Sequence, residues 1–409
     1  MLDGRYPTWE ASEGGRAVIH VDGPPAFAAG DDRPWNDWSM VANLLAGGTD
    51  MKAFRFVAWG KPPEYQEIPV PEPAPGQVLV KVTAAGVCHS DLHIFDWPEG
   101  VLPWKLPFTL GHEVVGTVYA LGAGIESPAI GTPVAVYGPW GCGTCRACRM
   151  GMENYCERSA ELPGAGVGLG YDGGMADYVL VPSPRLLIPI GRLDPLQAAP
   201  MTDAALTPYH VIKAALPWLV PGSSAVVIGA GGLGHMAIQI LRAISPAGVI
   251  AIDKDPKKLE LAKRVGAVET VLAGENAAAT VRSFARLGAN AVFDFVGSDD
   301  TMALAAQVSR QAGRVFIVGI AGGKFSFSFF SLPYEAGLST SYWGSSVELQ
   351  EVLALAAEGK IKAEVQTFPL DDVATAYSRL RAGEITGRAV ILPAAARMPV
   401  EAELVGARA

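Results

Sequence analysis

Residues 225–241, AVVIGAGGLGHMAIQIL, join a short apolar strand to a helix through the turn Gly229-x-Gly231-x-x-Gly234. Beyond the turn, apolar residues recur through 233–244 at the spacing of one helical face. Glycines allow a tight turn, close approach of the backbone to a ligand, and packing of the helix on the strand. The helix N-terminus then offers unpaired N–H groups to phosphates. The stretch predicts a dinucleotide-binding corner; a glycine turn that serves packing alone is the alternative.

The next apolar strand, VIAI, ends in Asp253, about 20 residues after the last glycine, as this fingerprint expects. A carboxylate there accepts hydrogen bonds from the adenosine ribose hydroxyls and repels a 2′-phosphate. The sequence therefore favours NAD over NADP, although the adjacent cation Lys254 weakens the discrimination.

Patterning around this corner divides the chain. Apolar strands alternate with helical stretches over residues 205–345, which predicts βαβ units and a parallel sheet. Residues 51–204 contain short alternating segments with many Gly and Pro residues, typical of a β-rich domain. The run MKAFRFVAWGKPPEYQEIPVP from Met51 is interpreted as a strand, and 346–395 as two helices and a closing strand. Residues 1–50 lack periodicity and are expected to be a poorly ordered extension or an over-long translation start; 396–409 form a tail.

Composition and charge limit the classes of function. The 409 residues exceed what one core usually serves, so two domains are expected. A net charge of −9 and a pI near 5.3 argue against nucleic-acid or anionic-membrane partners. The apolar stretch 225–244 contains glycines and the polar His235, so a strand, turn and helix explain it better than a membrane span. The beginning of the sequence lacks a secretory signal pattern, and a cytoplasmic protein is expected.

Four of the five cysteines form the cluster Cys142-x2-Cys145-x2-Cys148-x7-Cys156. Zinc binds four thiolates tetrahedrally, and a short glycine-containing loop of this spacing (138–158) can surround one ion. Such a closed site would be structural. Unrelated surface thiols or labile disulfides are the alternative, which a reducing compartment disfavours.

The fifth cysteine, Cys88, stands 24 residues before His112 in the segment LGHEVVG. A thiolate and an imidazole are good zinc ligands. Buried free cysteines and core histidines are also common, so spacing alone leaves metal ligation and plain burial open.

The order of these motifs resembles the zinc-containing medium-chain alcohol dehydrogenases, in particular bacterial NAD-dependent enzymes of the secondary-alcohol type. The resemblance extends from Met51 to about Pro393. Residues 111–125, GHEVVGTVYALGAGI, are similar to the family's zinc signature, and the four-Cys loop and glycine turn follow in the family's order. The resemblance implies an α/β fold: a doubly wound parallel Rossmann sheet plus a β-rich GroES-like catalytic domain. It also implies two zinc ions per chain, one catalytic and one structural, and NAD.

The resemblance assigns roles around the catalytic zinc. Cys88 and His112 would be ligands, and the third ligand position falls on Asp203, where the liver-type enzymes have Cys. Asp91 resembles the acid that orients the ligand histidine, and Glu113 the nearby carboxylate that can move onto the metal.

Further positions follow from the same resemblance. Ser90 would accept the alcohol proton and pass it through the nicotinamide ribose to His93 and solvent; an exposed polar residue is the alternative interpretation of His93. The remaining cofactor-binding positions are His89 and Arg388 at the pyrophosphate, Thr207, Val318 and Ile320 at the nicotinamide, and Gly232, Leu233 and Lys258.

Trp104, Tyr342 and Trp343 would line the substrate pocket, which suits an apolar secondary or aryl alcohol, although such aromatics are equally typical of ordinary core. The expected partner is a small alcohol or ketone, and a homo-dimer or homo-tetramer is expected. A zinc-free quinone or enone reductase would lack both cysteine sets. A non-catalytic zinc and nucleotide-binding protein would have lost Cys88, His112 or Ser90. A polyol or formaldehyde dehydrogenase on the same scaffold stays open.

Overall fold

The computed structural model describes residues 50–393. The predictions for the N-terminal extension (apart from Asp50) and for the tail at 396–409 lie outside this range. The strands are β1 (Asp50–Phe56), β2 (Glu64–Pro69), β3 (Val78–Val87), β4 (Phe108–Thr109), β5 (Glu113–Leu121), β6 (Pro133–Val136), β7 (Gly166–Val167), β8 (Gly170–Tyr171), β9 (Tyr178–Val181), β10 (Leu187–Pro189), β11 (Ser224–Ile228), β12 (Gly248–Asp253), β13 (Glu269–Leu272), β14 (Ala289–Asp294), β15 (Ser309–Ile317), β16 (Gly337–Thr340), β17 (Val365–Pro369) and β18 (Arg388–Leu392).

The α-helices alternate with these strands mainly in the second half of the described range. They are α1 (His89–Asp96), α2 (Arg146–Arg149), α3 (Pro195–Pro200), α4 (Leu206–Ala215), α5 (Gly234–Ile244), α6 (Pro256–Arg264), α7 (Ala277–Phe284), α8 (Asp299–Val308), α9 (Ser346–Ala357) and α10 (Val373–Arg381).

The six strands β11 to β16 form one sheet in the order β13-β12-β11-β14-β15-β16, and every neighbouring pair is parallel. This is the 3-2-1-4-5-6 order of a doubly wound sheet, which places a ligand crevice where the order reverses, between β11 and β14. Successive residues of β11 belong to different hydrophobic clusters: Val226 and Ile228 pack on one side, Ala225 and Val227 on the other. Both faces are therefore covered, as parallel sheets require. The predicted parallel sheet is confirmed.

A seven-stranded sheet has the order β10-β6-β5-β3-β18-β17, with β9 also paired to β3. Most of its strands come from residues 78–189, but β17 and β18 come from the end of the described chain. β18 pairs antiparallel with β3, matching Ala389 with Val87. The chain thus returns to its first half, and Arg388 at the start of β18 comes close to Cys88, which follows β3.

Two details differ from the sequence prediction. The single strand predicted from Met51 is a pair: β1 and β2 run antiparallel, with Met51 opposite Ile68, because Gly60, Pro62 and Pro63 interrupt the run. The helix α7, rich in alanine, was not predicted. Its short apolar face, Ala277 and Val281, gives only a weak periodic signal.

The apolar stretch 225–244 consists of most of β11, the glycine turn and α5, as predicted. Among residues 50–393, no helix combines the length and apolar character needed to cross a bilayer.

Candidate active site and zinc centres

Three side chains from distant parts of the sequence meet at one buried point. Cys88 ends the turn after β3 and caps the N-terminus of α1, and His112 directly precedes β5. Asp203 lies in a π-helical turn, Met201–Ala205, between α3 and α4. Turns of this kind insert an extra residue into a helix and are frequent at functional sites. All three residues are buried.

The spacing of their donor atoms fits a zinc ion. One ligand atom from each residue lies within 4.8 Å of the others. Asp203 Oδ2 is 3.6 Å from Cys88 Sγ and 3.6 Å from His112 Nε2. Zinc bonds of about 2.0–2.3 Å at tetrahedral angles place neighbouring donors roughly 3.4–3.8 Å apart. Three protein ligands leave one position of a four-coordinate zinc ion for substrate, which is the composition of a catalytic site.

The electrostatics of this cluster favour a cation. Burial raises the pKa of Asp203, but its hydrogen bond to His112 and the positive charges of His112 and Arg388 outweigh burial and lower that pKa to about 2. Burial lowers the pKa of His112, yet the charge of Asp91 and the hydrogen bonds to Asp203, Asp91 and Cys88 raise it well above its ordinary value. Positive charge is therefore stabilised where the three donors meet.

Neighbouring polar groups hold the three donors in place. Asp91 Oδ1 is 3.1 Å from His112 Nδ1, so the Nε2 atom is turned toward Asp203. The Thr207 hydroxyl donates to Asp203 Oδ1 at 2.8 Å, leaving Oδ2 facing the other donors. Orientation of metal ligands by such partners is the rule in zinc sites.

Glu113 and Arg388 form a buried ion pair beside the cluster. Arg388 donates from Nε and Nη2 to the two oxygens of Glu113, and Glu113 Oε1 also accepts from the Ala204 backbone N–H at 3.0 Å. Burial raises the pKa of Glu113, and the guanidinium charge opposes that shift. Arg388 Nη2 lies 3.6 Å from Asp203 Oδ2. Arg388 is thus fixed between the donor cluster and the acid next to His112.

The same arginine connects the donor cluster with the glycine turn. A Cβ added at Gly232 would lie 2.6 Å from Arg388 Nη1. Gly229 has φ +86°, which glycine adopts without strain. A Cβ at Gly231 would meet nothing within 4 Å, whereas one at Gly234 would collide with the Gly229 carbonyl. These are the three requirements of the fingerprint: a tight turn, an open approach and close helix packing.

The other predicted cofactor positions lie around this turn. Asp253 ends β12, and its carboxylate accepts from the backbone N–H groups of Ala230 at 2.7 Å and Asp255 at 2.9 Å. Leu233 precedes α5, and Lys258 lies in the first turn of α6. Partial desolvation, together with the positive charges of Arg388, His93 and Lys258, lowers the pKa of His89 to about 4, although the residue is exposed at the surface. His89 is therefore uncharged near neutral pH, and it lies close to the cations Arg388 and Lys258, whose charges suit a phosphate.

The residues of the predicted proton route share α1. Ser90 and His93 are three residues apart, so they occupy one face of the helix. Ser90 Oγ lies 3.5 Å from Cys88 Sγ. His93 is half-buried, and burial lowers its pKa.

The predicted aromatic residues separate into two groups. Trp343 is buried, its ring centroid lies 5.7 Å from that of His112, and Nε1 donates to the Thr202 carbonyl at 3.0 Å. Tyr342 is 45% exposed, and its ring makes an edge-on contact with the ring of Trp343. Trp104 instead packs edge-on against the core residue Phe108. The structure brings Trp343 and Tyr342 to the donor cluster, whereas Trp104 has the contacts of a core side chain.

Val318 and Ile320 follow β15 at the carboxyl end of the parallel sheet, near the reversal of strand order. Val318 is buried and Ile320 is exposed. An open cavity of about 740 Å³ is bordered by Ile320, Gly319 and residues of β16. The ligand atoms of the donor cluster are not part of its lining, so this cavity is not the zinc pocket.

The four-Cys cluster is a separate, local site. One sulfur atom from each cysteine lies within 4.8 Å of the others, and Cys142 Sγ is 4.0 Å from Cys148 Sγ. Backbone N–H groups of Cys142, Cys145 and Cys148 point at cluster sulfurs at 3.3–3.5 Å. The hydrogen bond from Thr144, with backbone N–H groups, lowers the pKa of Cys142 to about 5. The donor set fits one zinc ion in a closed site.

Sequence reasoning missed two polar residues near these sites. The Tyr377 hydroxyl donates to Asp91 Oδ2 at 2.8 Å, although 286 positions separate the two residues. His235 Nδ1 is 2.9 Å from the Gly231 carbonyl, and its Nε2 accepts from the Glu364 N–H at 3.3 Å. Tyr377 looks like one apolar residue of an amphipathic helix. For His235, the signal in the sequence was a polar residue within an otherwise apolar helical face.

Comparisons with known proteins agree with this geometry. Residues 74–192 match the alcohol dehydrogenase GroES-like domain, and residues 232–358 match the zinc-binding dehydrogenase domain. An NAD-dependent alcohol dehydrogenase of Sulfurisphaera tokodaii is 37% identical over 84% of this chain and 100% of its own. A D-arabinose 1-dehydrogenase (NADP(+)) of Saccharolobus solfataricus is 33% identical over 84% and 97%. The crystal structure of the alcohol dehydrogenase from Aeropyrum pernix superposes with a TM-score of 0.78, at 36% identity, over 84% of this chain and 100% of that one.

The fold and the two donor clusters thus define a zinc-dependent dehydrogenase. The chain belongs to the zinc-containing medium-chain alcohol dehydrogenase family.

Proposed function

We propose that this protein is an NAD-dependent alcohol dehydrogenase that reversibly oxidises a primary or secondary alcohol to an aldehyde or ketone. The observation that carries the proposal is the meeting of Cys88, His112 and Asp203 at one buried point, joined by Arg388 to the glycine turn. The two parts of a hydride-transfer site, a metal cluster and a dinucleotide corner, therefore share one residue.

Cys88, His112 and Asp203 would hold the catalytic zinc, which supplies Lewis acidity to the substrate oxygen when bound. Asp91 orients His112, and Thr207 orients Asp203. Ser90, at the edge of the cluster, would accept the proton of the alcohol while it releases its own hydroxyl proton toward His93, which lies on the same helix face and exchanges the proton with solvent. Glu113, held by Arg388 and the Ala204 N–H, supports the ligand region.

The dinucleotide would lie along the glycine turn. Backbone N–H groups at the start of α5 are available for the pyrophosphate along Gly229, Gly231, Gly232, Leu233 and Gly234. Lys258 and Arg388 are nearby cations, and His89 adds an uncharged imidazole that can hydrogen-bond to phosphate. Asp253 has each oxygen oriented by a backbone N–H and keeps acceptor capacity for ribose hydroxyls. Thr207, Val318 and Ile320 would be near the nicotinamide. The cofactor proposed is NAD in preference to NADP.

Two zinc ions per chain are proposed, one in each of the two donor clusters. The four-Cys ion is structural because four thiolates leave no position for substrate. Free cysteines that serve as zinc ligands suit a reducing compartment, which supports a cytoplasmic location.

The decisive experiment measures zinc per chain and the NAD-linked oxidation of a panel of small alcohols. We expect two zinc ions per chain, turnover with NAD that exceeds turnover with NADP, and the best rates with apolar secondary or aryl alcohols, since Trp343 and Tyr342 adjoin the donor cluster. A fully zinc-loaded protein that oxidises none of the alcohols would overturn the proposal.

A sugar or polyol dehydrogenase is the second candidate, favoured by the relative that is a D-arabinose 1-dehydrogenase. Including pentoses and polyols in the same panel separates the candidates. A zinc-free quinone or enone reductase is disfavoured because both donor clusters are complete.

A homo-oligomer is proposed with a second copy of this chain as the partner. β16 ends the six-stranded sheet, and its residues 338–340 are exposed. Phe327, Phe329 and Phe330, just before it, are 71–81% exposed. A two-fold axis at this edge would pair β16 with its own copy and cover the aromatic side chains. Sedimentation should give a dimer or tetramer, and Phe330→Glu should shift it toward monomer; a monomeric parent protein would exclude this assembly.

A further inference from the structure

A tyrosine from the end of the described chain contacts Asp91, the acid beside the donor cluster. Tyr377 lies in α10, which packs against α1, and its side chain is buried. Its hydroxyl donates to Asp91 Oδ2 at 2.8 Å. Asp91 is itself fully buried. A carboxylate in this position depends on such donors, because water cannot replace them.

Asp91 in turn contacts both zinc-ligand residues that flank it in space. Its Oδ1 atom is 3.1 Å from His112 Nδ1, and its Oδ2 atom accepts from the Cys88 backbone N–H at 3.3 Å. The rotation of the Asp91 carboxylate therefore sets the orientation of the His112 ring and the position of the Cys88 main chain. Tyr377 is the side-chain donor that fixes this rotation on the Oδ2 side.

The tyrosine is well suited to this task because its own ring is immobilised. It stacks on Phe54 with 6.1 Å between centroids and meets Phe95 edge-on at 5.3 Å. Burial and the negative charge of Asp91 raise its pKa well above the ordinary value, so the hydroxyl keeps its proton. These ring contacts hold the hydroxyl of Tyr377 against Asp91 Oδ2, to which it donates.

We infer that Tyr377 is a positioning residue for the catalytic metal, acting through Asp91 on His112 and Cys88. The inference rests on the proposed function only in requiring a metal at these three donors. The last part of the described chain would then have two roles. β18 completes the seven-stranded sheet, and α10 supplies Tyr377, which orients the metal ligands through Asp91.

The test is the isosteric variant Tyr377→Phe, compared with Tyr65→Phe as a matched control. Tyr65 also packs against Phe54, at 4.8 Å, and its hydroxyl also donates, but to the Asp371 carbonyl. Metal release into excess chelator would be followed for the full-length protein. We expect the Tyr377→Phe variant to lose one metal ion about tenfold faster than the parent, as for other partners of metal ligands. The four-Cys metal and the Tyr65→Phe variant should behave like the parent.

A spectroscopic measurement separates orientation from general loosening. With cobalt in the catalytic site, Tyr377→Phe should shift the visible absorption bands, because these report ligand geometry, while Tyr65→Phe should not. Parent-like release and parent-like bands for Tyr377→Phe would overturn the inference. Cys88→Ser is the reference: if it too keeps both metal ions, the proposed catalytic site itself is wrong, whereas loss of one ion in Cys88→Ser with a parent-like Tyr377→Phe removes only the role of Tyr377.

Discussion

The two zinc clusters are built in opposite ways. The four cysteines at 142–156 lie within fifteen residues of sequence, and backbone N–H groups of the same loop bind their sulfurs. The catalytic cluster gathers Cys88, His112 and Asp203 across 115 positions and depends on partners still farther away, such as Arg388. The local site can form once its own loop is closed. The dispersed site exists only when the whole fold is complete.

This difference indicates what each metal does for the protein. A metal held within one loop adds stability to that loop and leaves no open position. A metal held by three ligands from separate elements is placed by the fold and keeps one position for substrate. Loss of the first should cost stability, and loss of the second should cost chemistry.

The largest effect is expected for Cys88→Ser. Losing the Lewis acid removes several kcal/mol of transition-state stabilisation, which corresponds to about 10³-fold or more in turnover. The unfolding midpoint in urea should change little, and one zinc ion per chain should remain. The measurement combines steady-state rates, metal analysis and urea unfolding. Turnover within tenfold of the parent would contradict the separation.

The reciprocal variant is Cys145→Ser. It removes a ligand from the closed site, so the free energy of unfolding should fall by about 4 kcal/mol or more, the range reached when a metal site is lost. Protein that stays folded at low temperature should retain much of its turnover per catalytic zinc ion. If the variant lost the four-Cys metal but stayed as stable as the parent, the stability of the four-Cys loop would not depend on the ion.

The contrast also explains what the sequence could predict. The glycine turn and the four-Cys loop are local patterns whose chemistry can be recognised from spacing, and the structure has both as expected. Cys88 and His112 left two interpretations open, and only the family resemblance suggested Asp203. The contact of Tyr377 with Asp91 and the pairing of β18 with β3 bring together residues hundreds of positions apart. No local pattern encodes such contacts.

Arg388→Met tests the connection between the dispersed cluster and the glycine turn. The substitution leaves the buried Glu113 carboxylate without its partner, which should cost about 3 kcal/mol of unfolding free energy. Affinity for NAD should fall as well, because a cation beside Gly232 is lost. The matched control is Arg381→Met, whose exposed pair with Asp96 should contribute less than about 1 kcal/mol. Equal effects of the two variants would show that the buried pair has no special importance.

The smallest effect concerns the contact between the four-Cys loop and α4, the helix that follows Asp203. Tyr155, next to Cys156, is 2.8 Å from His210 Nε2 in α4, and His210 Nδ1 is 2.8 Å from Glu348 Oε2. Burial raises the pKa of Glu348, but its hydrogen bonds to His210 and Ser345 outweigh burial and lower that pKa to about 2. A carboxyl group with a lowered pKa in the folded state stabilises the fold above its unfolded pKa.

Glu348→Gln should therefore lower the free energy of unfolding by about 2 kcal/mol near pH 5, since the amide replaces part of the hydrogen bonding but not the charge. The difference from the parent should shrink as the pH falls from about 4.5 to about 2, because the parent glutamate becomes protonated over that interval. Urea unfolding at several pH values measures this. Glu351→Gln, which breaks a more exposed pair with Lys213 one turn farther along α9, is the control and should show a smaller difference. A Glu348→Gln difference that stayed constant down to pH 2 would mean that the charge of Glu348 does not stabilise its contact with His210 in α4.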